Sequence, residues 1–419
     1  MLIGYFTEQP YAGFSGEEAL RVQPDDHPFR RPGDTVLLFS NKFFDPVVGA
    51  RLYAERIREG QLAEEVGFDA LMTNEHHNGA FCMQPRCNIA STALAVATKT
   101  IKIMQLGNPL PLWDNPVQLA EEIGMLDMIS QGRLISGIVR GGGAEQLAND
   151  VNPVRNRARF VEAHDLLIKT WTTPGPFRWD GEEYQIRVVN PWALPLQKPH
   201  PRIFVPGVAS LETVIFAAQQ GYPYVCLGTS VDDTLAIKGL YAEEAARQGY
   251  EAGTEHLGYV MRCHVADTEE QALAGAREFQ WMQGEFTGVG HPVWTAPTGY
   301  SSWEARQKRN AMHARASRPL EEVIESGSIL CGTPKTVIPR IRRFLERTRP
   351  GSLVLWGNDG KVDHRNSMRC IELLGQEVLP AVRELGRELG LSSPFDLDAP
   401  VSLRQRRELE GLAAAAPQL

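Results

Sequence analysis

The chain has 419 residues, 43% of them hydrophobic and 22% charged, which supplies enough apolar material for a large packed core. Its formal net charge is −8 and no basic run occurs, so composition excludes nucleic acid and an anionic membrane as partners and favours a small neutral or apolar one. The six cysteines are scattered without a C-x-x-C pair, the N-terminus MLIGYFTEQP lacks a basic segment leading into an apolar one, and no apolar run has membrane-spanning length; the expectation is a soluble, cytoplasmic protein with free thiols.

In chain order, short apolar runs alternate with amphipathic stretches. MLIGYF (1–6) reads as a first strand, followed by an irregular segment over 7–44. Asp45-Pro46 opens a helix that runs to Gly67, because a capping side chain is followed by proline at the first helical position. DALMTN (69–74) and TIKIMQLG (100–107) read as strands two and three. Asn115-Pro116 opens a helix ending near Gly132, with Leu119, Ile123 and Leu126 on one face and Ala120 and Ile129 beside it. RLISGIV (133–139) is strand four, RARFVEAHDLLIKTW a helix in which His164 has a structural place, and 172–200 a second irregular connection. RIFVPG (202–207), YVCLG (224–228), GYVMRCHV (258–265) and SLVLWGN (352–358) complete eight strands, with a third irregular segment over 284–320. Several of these runs are continuously apolar, as parallel strands buried on both faces are.

Strand and helix repeated eight times without a break in composition predict a (β/α)8 TIM barrel, one domain over residues 1–390 with insertions at 7–44, 172–200 and 284–320, and a polar, flexible tail over 391–419. In such a barrel the chemistry gathers at the C-terminal ends of the strands. NEHHNGA (74–80) lies at the end of strand two, Gly107-Asn108 at strand three, Arg140 and three glycines at strand four, and Gly207-Val208-Ala209-Ser210 at strand five.

Each motif has a plain reading beside its functional one. The turn before VASLETVIFAAQQG suits an anion at a helix N-terminus, or is an ordinary loop capped by Ser210. GIVRGGGAEQ lets a ligand approach the main chain and offers Arg140 to a phosphate, or is a turn with a surface arginine; it matches neither the dinucleotide fingerprint nor a P-loop. Glu75-His76-His77 could ligate a metal, but adjacent histidines on a strand point to opposite faces. His200, His264 and His364 are poorly placed as further ligands, so no metal is expected and histidines satisfied within a loop remain the alternative. His291 and its neighbours form either a lid or an ordered surface loop.

The stretch from GFDALMTNEHHNGA to RFVEAHDLLIKTW (67–171), continued by VPGVASLETVIFAAQQG and CGTPKTVIPRIRRFL, resembles the luciferase-like flavin-dependent monooxygenases, above all the luciferase α-chain pattern. The ordered elements E-H-H, hydrophobic-x-N-P, A-E-x-x-x-x-L-D-x-x-S-x-G-R-L and G-x-x-R-G carry the likeness. It implies a TIM-barrel enzyme that binds reduced FMN (FMNH2), reacts it with O2 to a C4a-(hydro)peroxyflavin, and passes one oxygen atom to a mid-sized apolar ketone, aldehyde or alkene. By the same resemblance His76 is the catalytic histidine beside the flavin, with His77 and Glu75 as its neighbours. Arg140 pairs with the FMN phosphate, Gly207, Val208, Ala209, Ser210 and Leu211 form the phosphate turn, and Leu106, Gly107 and Asn108 lie at a non-proline cis peptide under the ring.

Val139 stands where luciferase α-chains carry a reactive cysteine, and Gly207 and Val208 replace an acidic residue and a serine, so thiol chemistry and light emission do not carry over. Phe6, Tyr11, Phe14, Phe81, Trp113, Trp294 and Trp356 are candidate aromatic walls. No second nucleotide-binding pattern is present, which implies a separate NAD(P)H-flavin reductase, and relatives pair through helices of the first barrel half, which implies a homodimer. The alternatives are an F420-dependent hydride-transfer enzyme on the same barrel and a non-catalytic flavin-binding or dimer-partner subunit.

Overall fold

The computed structural model describes residues 1–14, 40–208, 210–282, 299–300, 319–358 and 361–411. Eight parallel strands close into a barrel: β1 (Leu2–Thr7), β2 (Ala70–Thr73), β3 (Lys102–Gln105), β4 (Leu134–Val139), β5 (Arg202–Gly207), β6 (Tyr224–Leu227), β7 (Leu257–Val265) and β8 (Ser352–Asn358). Each pairs with its neighbour in sequence, β6 pairs with β7, and the ring is sealed where Leu2 meets Ser352 and Tyr5 meets Leu355. All eight runs expected as strands are strands, and the TIM-barrel expectation is met.

Helices α1 (Pro46–Glu65), α2 (Cys87–Ala97), α3 (Pro116–Ile129), α4 (Asn156–Thr172), α5 (Leu211–Gln220) and α6 (Val231–Arg247) surround the first six strands. Asp45 and Asn115 cap α1 and α3 as expected, each side chain accepting from the second helical N–H, with proline at the first position. On α3, Leu119, Ala120, Ile123 and Leu126 are buried on the sheet, whereas Ile129, expected beside them, is 41% exposed because it sits in the last turn past the barrel edge.

Alternation along the strands sorts side chains into two cores. Phe6, Met72, Met104, Ile135, Phe204 and Val260 fill the lumen. Tyr5, Leu71, Ile103, Leu134, Ile203 and Met261, one position away, pack under the helices.

Of the insertions, 172–200 folds into an antiparallel hairpin, Phe177–Asp180 with Gln185–Val189, tied to α4 through Glu162 and to α3 through Gln197 and Asp127. It precedes β5 and so lies away from the strand ends that carry chemistry. The segments 15–39, 283–298 and 301–318, which include His291 and Trp294, lie outside the described residues.

Residues 391–411 overturn the expectation of a flexible tail. Leu391 and Leu403 are buried, Thr254 and Ser392 exchange hydrogen bonds, and Arg202 donates to the Pro400 carbonyl at 3.0 Å. Phe395 joins the lumen cluster at the N-terminal mouth of the barrel, with Lys102 4.3 Å and Arg202 5.1 Å from its ring centroid. A polar composition concealed this because one aromatic ring held by two cations does the closing. Phe395→Ala is expected to destabilise the fold by about 2 kcal/mol, a half-buried aromatic costing less than a core one, read as a lowered midpoint in urea unfolding.

Candidate active site

The C-terminal ends of β1, β2 and β4 bring three titratable groups together. Glu8 follows β1, His76 lies two residues after Asn74 at the end of β2, and Glu145 sits in the short helix Gly143–Ala148 beyond β4. His76 Nδ1 is in hydrogen-bond contact with Glu145 Oε1, and His76 Nε2 lies 3.9 Å from Glu8 Oε2. Glu145 is fixed from the other side, since its second oxygen accepts from the Gly142 N–H in a capping arrangement. Glu8 accepts from the Asn74 amide, whose oxygen accepts from Gln84 Nε2 at 3.4 Å.

The electrostatics follow from these contacts. Burial works against a charged imidazole, but the Glu145 carboxylate, then Glu8 and Glu75, outweigh it and lift the His76 pKa from 6.5 to about 9. Burial likewise opposes ionisation of Glu145, yet His76 and the Gly142 N–H hold its pKa below the ordinary range. Glu8 goes the other way: burial raises its pKa against the pull of His76, Asn74 and Arg262. At neutral pH the mouth of the barrel therefore holds an imidazolium between two buried carboxyl groups, one with its pKa held below the ordinary range and one with its pKa raised.

Glu75 and His77 lie in the same loop as His76 and pair with each other. The Glu75 carboxylate accepts from the Cys87 N–H at 3.0 Å and from Arg86 at 3.3 Å, and pairs with His77 Nε2 at 3.0 Å. Arg86 gives α2 no side-chain cap, and Glu75 supplies it from the neighbouring loop. These two residues anchor the loop that presents His76, and their charges reach the cluster, Glu75 acting on His76 and His77 on Glu145. Asn108 is also turned inward: it donates to Gln105 Oε1 at 3.1 Å and accepts from the Cys87 thiol, in a buried polar network with Asn88.

At β3 the Leu106–Gly107 peptide is cis, as the resemblance implies. Gly107 and Gly137 pack backbone to backbone: a Cβ on Gly107 would stand 2.6 Å from the Gly137 carbonyl carbon, and one on Gly137 would overlap the Gln105 carbonyl oxygen. Leu106 itself lies in the lumen cluster.

Between β4 and β5 the structure forms an anion cradle. The Arg140 side chain is only 9% exposed, and its guanidinium donates to Ser210 Oγ at 3.1 Å. Ser210 precedes α5, where Thr213 and Val214 are the first N–H groups bonded back to it. Among the described residues, the Leu211 and Glu212 N–H groups of the first turn have no hydrogen-bond partner. Below, Gly207 has no room for a Cβ because the Tyr224 hydroxyl occupies that place, and this buried hydroxyl has no hydrogen-bond partner among the described residues. Arg157 adds a second cation close enough to Arg140 for the two, with burial, to lower its pKa. Tyr300, from the third insertion, stacks on Arg140 with its centroid 5.5 Å away and donates to the Gly141 carbonyl. Val208 and Leu211 are 37% and 58% exposed at the rim, and Ala209 lies outside the described residues. Two arginines, a serine, an orphaned phenol and a helix start fit a phosphate.

Of the expected aromatic walls, Phe6 and Trp356 face the lumen, with Phe14 and Phe81 packed against it; Trp113 instead belongs to the core beneath the helices, and Tyr11 bonds through its hydroxyl to the Asp45 N–H.

A family model described as luciferase-like monooxygenase matches residues 36–350, three-quarters of the chain. The chain belongs to the luciferase-like monooxygenase family. Membership makes it an enzyme of the flavin-dependent monooxygenase class, as its motifs imply. Among curated relatives, the alkanal monooxygenase alpha chain of Photobacterium leiognathi is 28% identical over 336 residues, 78% of this chain and 93% of that one. Among solved structures, the oxygenating constituent of the 3,6-diketocamphane monooxygenase of Pseudomonas putida, a type II Baeyer–Villiger monooxygenase in complex with FMN, superposes with a TM-score of 0.69 at 20% identity, covering 91% of this chain and 98% of that one. An F420-dependent secondary alcohol dehydrogenase shares the fold with a TM-score of 0.64 at 16% identity, covering 91% and 99%.

Glu8, Glu145, Arg157, Tyr224 and Tyr300 were not among the expected site residues. Glu8 stands immediately past the first strand, where barrel chemistry is found, and Glu145 stands three residues after Gly142 as the last member of a G-x-x-E capping pattern; both signals are present in the chain.

Two outcomes follow from this geometry. Glu145→Gln should bring the His76 pKa down from about 9 towards 6.5, measured by the pH dependence of its imidazole NMR shifts. Gly137→Ala should prevent correct closure of β3 on β4, read as loss of soluble folded protein in gel filtration, since backbone atoms cannot yield the space a flexible side chain could.

Proposed function

We propose that the protein is the oxygenase component of a two-component system, inserting one atom of O2 into a mid-sized organic substrate with FMNH2 supplied by a separate NAD(P)H-flavin reductase. The observation that carries this reading is the pairing of a phosphate cradle at β4 and β5 with a charged imidazole at the end of β2. Arg140, Ser210, the first-turn N–H groups of α5 and the Tyr224 hydroxyl would hold the FMN phosphate, and Leu106, Gly107 and His76 would flank its ring. Reduced flavin, when bound, supplies the activation of O2.

The rest falls to this chain. His76 carries a proton at neutral pH and is positioned to donate it to the reacting oxygen, while Glu145 fixes the ring through Nδ1 so that Nε2 faces Glu8 and the lumen. Glu8, 3.9 Å from Nε2 and with its pKa raised by burial, is the carboxyl group placed to exchange a proton with His76. Phe6, Phe81 and Trp356 keep the reacting region dry. The similar Pseudomonas structure is an oxygenating constituent, which supports a reductase partner.

Six buried free cysteines support a reducing, cytoplasmic setting, and among the described residues no helix is long and apolar enough to cross a membrane. Ile89 and Val96 on α2 and Met125, Met128 and Ile129 on α3 are exposed apolar residues on adjacent helices, which supports a homodimer formed through this face.

The deciding experiment is mass spectrometry of products formed with FMN, a reductase, NADH and 18O2. Incorporation of one labelled atom supports the monooxygenase; substrate oxidation with F420 and no need for O2 would assign the hydride-transfer alternative. His76→Ala should leave FMN affinity nearly unchanged while product formation falls by about 100-fold or more, the size of a lost general acid. Wild-type turnover should decline as pH rises through about 9, where His76 loses its proton, in a kcat profile against pH.

A further inference from the structure

The register of β4 with β5 runs only from Ile135 to Gly137, and on its other edge β4 pairs with residues 108 and 109 as far as Val139. Arg140, the next residue, has left the sheet. Two side-chain amides hold its main-chain carbonyl instead: Gln146 Nε2 donates to that oxygen at 3.2 Å and Asn156 Nδ2 at 2.9 Å. Gln146 belongs to the short helix Gly143–Ala148, Asn156 opens α4, and both are buried, with exposures of 0% and 1%. A carbonyl oxygen accepts two donors, and here they come from two different elements.

The chain beyond this carbonyl does little to steady it. Gly141 turns at φ 75°, a conformation glycine enters without steric resistance, and two more glycines follow. With no hold on the carbonyl, the end of β4 could fray at Arg140 and carry the guanidinium with it. That group has little tolerance: it donates to Ser210 Oγ at 3.1 Å, and a bidentate hold on a phosphate needs placement within about 0.5 Å. The two amides are also a costly way to fill the space. Gln146 Oε1 and Asn156 Oδ1 are buried with no hydrogen-bond partner among the described residues, a penalty that apolar side chains of the same shape would avoid. What the pair positions explains its presence better than the stability it adds.

We propose that Gln146 and Asn156 are positioning residues of the anion cradle. By clamping the Arg140 carbonyl they aim its guanidinium at the phosphate of the cofactor, and so set the preference of this chain for a phosphorylated flavin over an unphosphorylated one. The proposal deepens the oxygenase reading and rests on it for FMN as the ligand.

The test is anaerobic calorimetric titration with FMNH2 and with reduced riboflavin, which differ only in the phosphate. Wild type should prefer FMNH2 by about 100-fold, the effect of two charge-assisted hydrogen bonds. Gln146→Met and Asn156→Leu, which each leave one donor on the carbonyl, should each weaken FMNH2 binding by about tenfold and leave reduced riboflavin within about twofold of wild type. The double variant should approach Arg140→Gln. Because the two substitutions lie in different elements, one that fails to fold leaves the other to decide. Variants that keep the wild-type preference overturn the proposal, and so do variants that lose both flavins alike as their melting temperature falls, since the amides would then be structural only. A wild type with no preference between the flavins removes the phosphate from the cradle, and the FMN reading falls together with the proposal. None of these readouts involves turnover, so a preference that behaves as expected stands even if no 18O enters the product.

Discussion

Eight parallel strands closed into a ring leave each strand residue two destinations, the lumen or the helix layer, and the site depends on that division. Below the mouth the lumen is filled with Phe6, Met72, Met104, Ile135 and Phe204, a packed solid rather than a channel. Only where the strands end does the alternation release side chains into open space. There Glu8, His76, Arg140, Ser210 and Glu145 come from four different strand ends, so their contacts exist only once those strands are assembled side by side. The ring thus serves as a rigid frame that holds two carboxyl groups, an imidazolium and a cationic cradle at fixed separation, as positioning of this kind requires.

The strands and helix starts were legible because their signals are local. A continuous apolar run bounded by turn residues marks β4 or β8, and Asp45-Pro46 or Asn115-Pro116 marks a helix start, within a handful of residues. His76 and Arg140 were legible as strand-end residues of a recognisable family pattern. The partners of His76 were not, because Glu145 is 69 residues away in the chain and meets it only through the order of the strands. The partner of Glu75 was hidden in the same way: it adjoins His76 in sequence, and its side chain also accepts from the N–H of Cys87, 12 residues later. Adjacency along a chain that has just left a strand says little about which side chains share a face.

Composition misled at the other end of the barrel. Residues 391–411 are polar on average, yet Phe395, Leu391 and Leu403 are enough to bind the segment to the floor, where Lys102 and Arg202 at strand starts would otherwise face water alone. An average over a window cannot distinguish a disordered stretch from one that reaches its core through a single ring.

The pairing of β1 with β8 has a bearing on how the protein is made. Leu2 meets Ser352, so β1 has one edge paired by β2 and waits for its other neighbour until some three hundred and fifty further residues have been synthesised. Throughout that interval the nascent chain carries an open, apolar, parallel edge, the kind of surface that recruits other strands. Completion of the ring and relief of that edge are the same event, so a ribosome that stalls before residue 352 leaves an unclosed sheet with an adhesive edge.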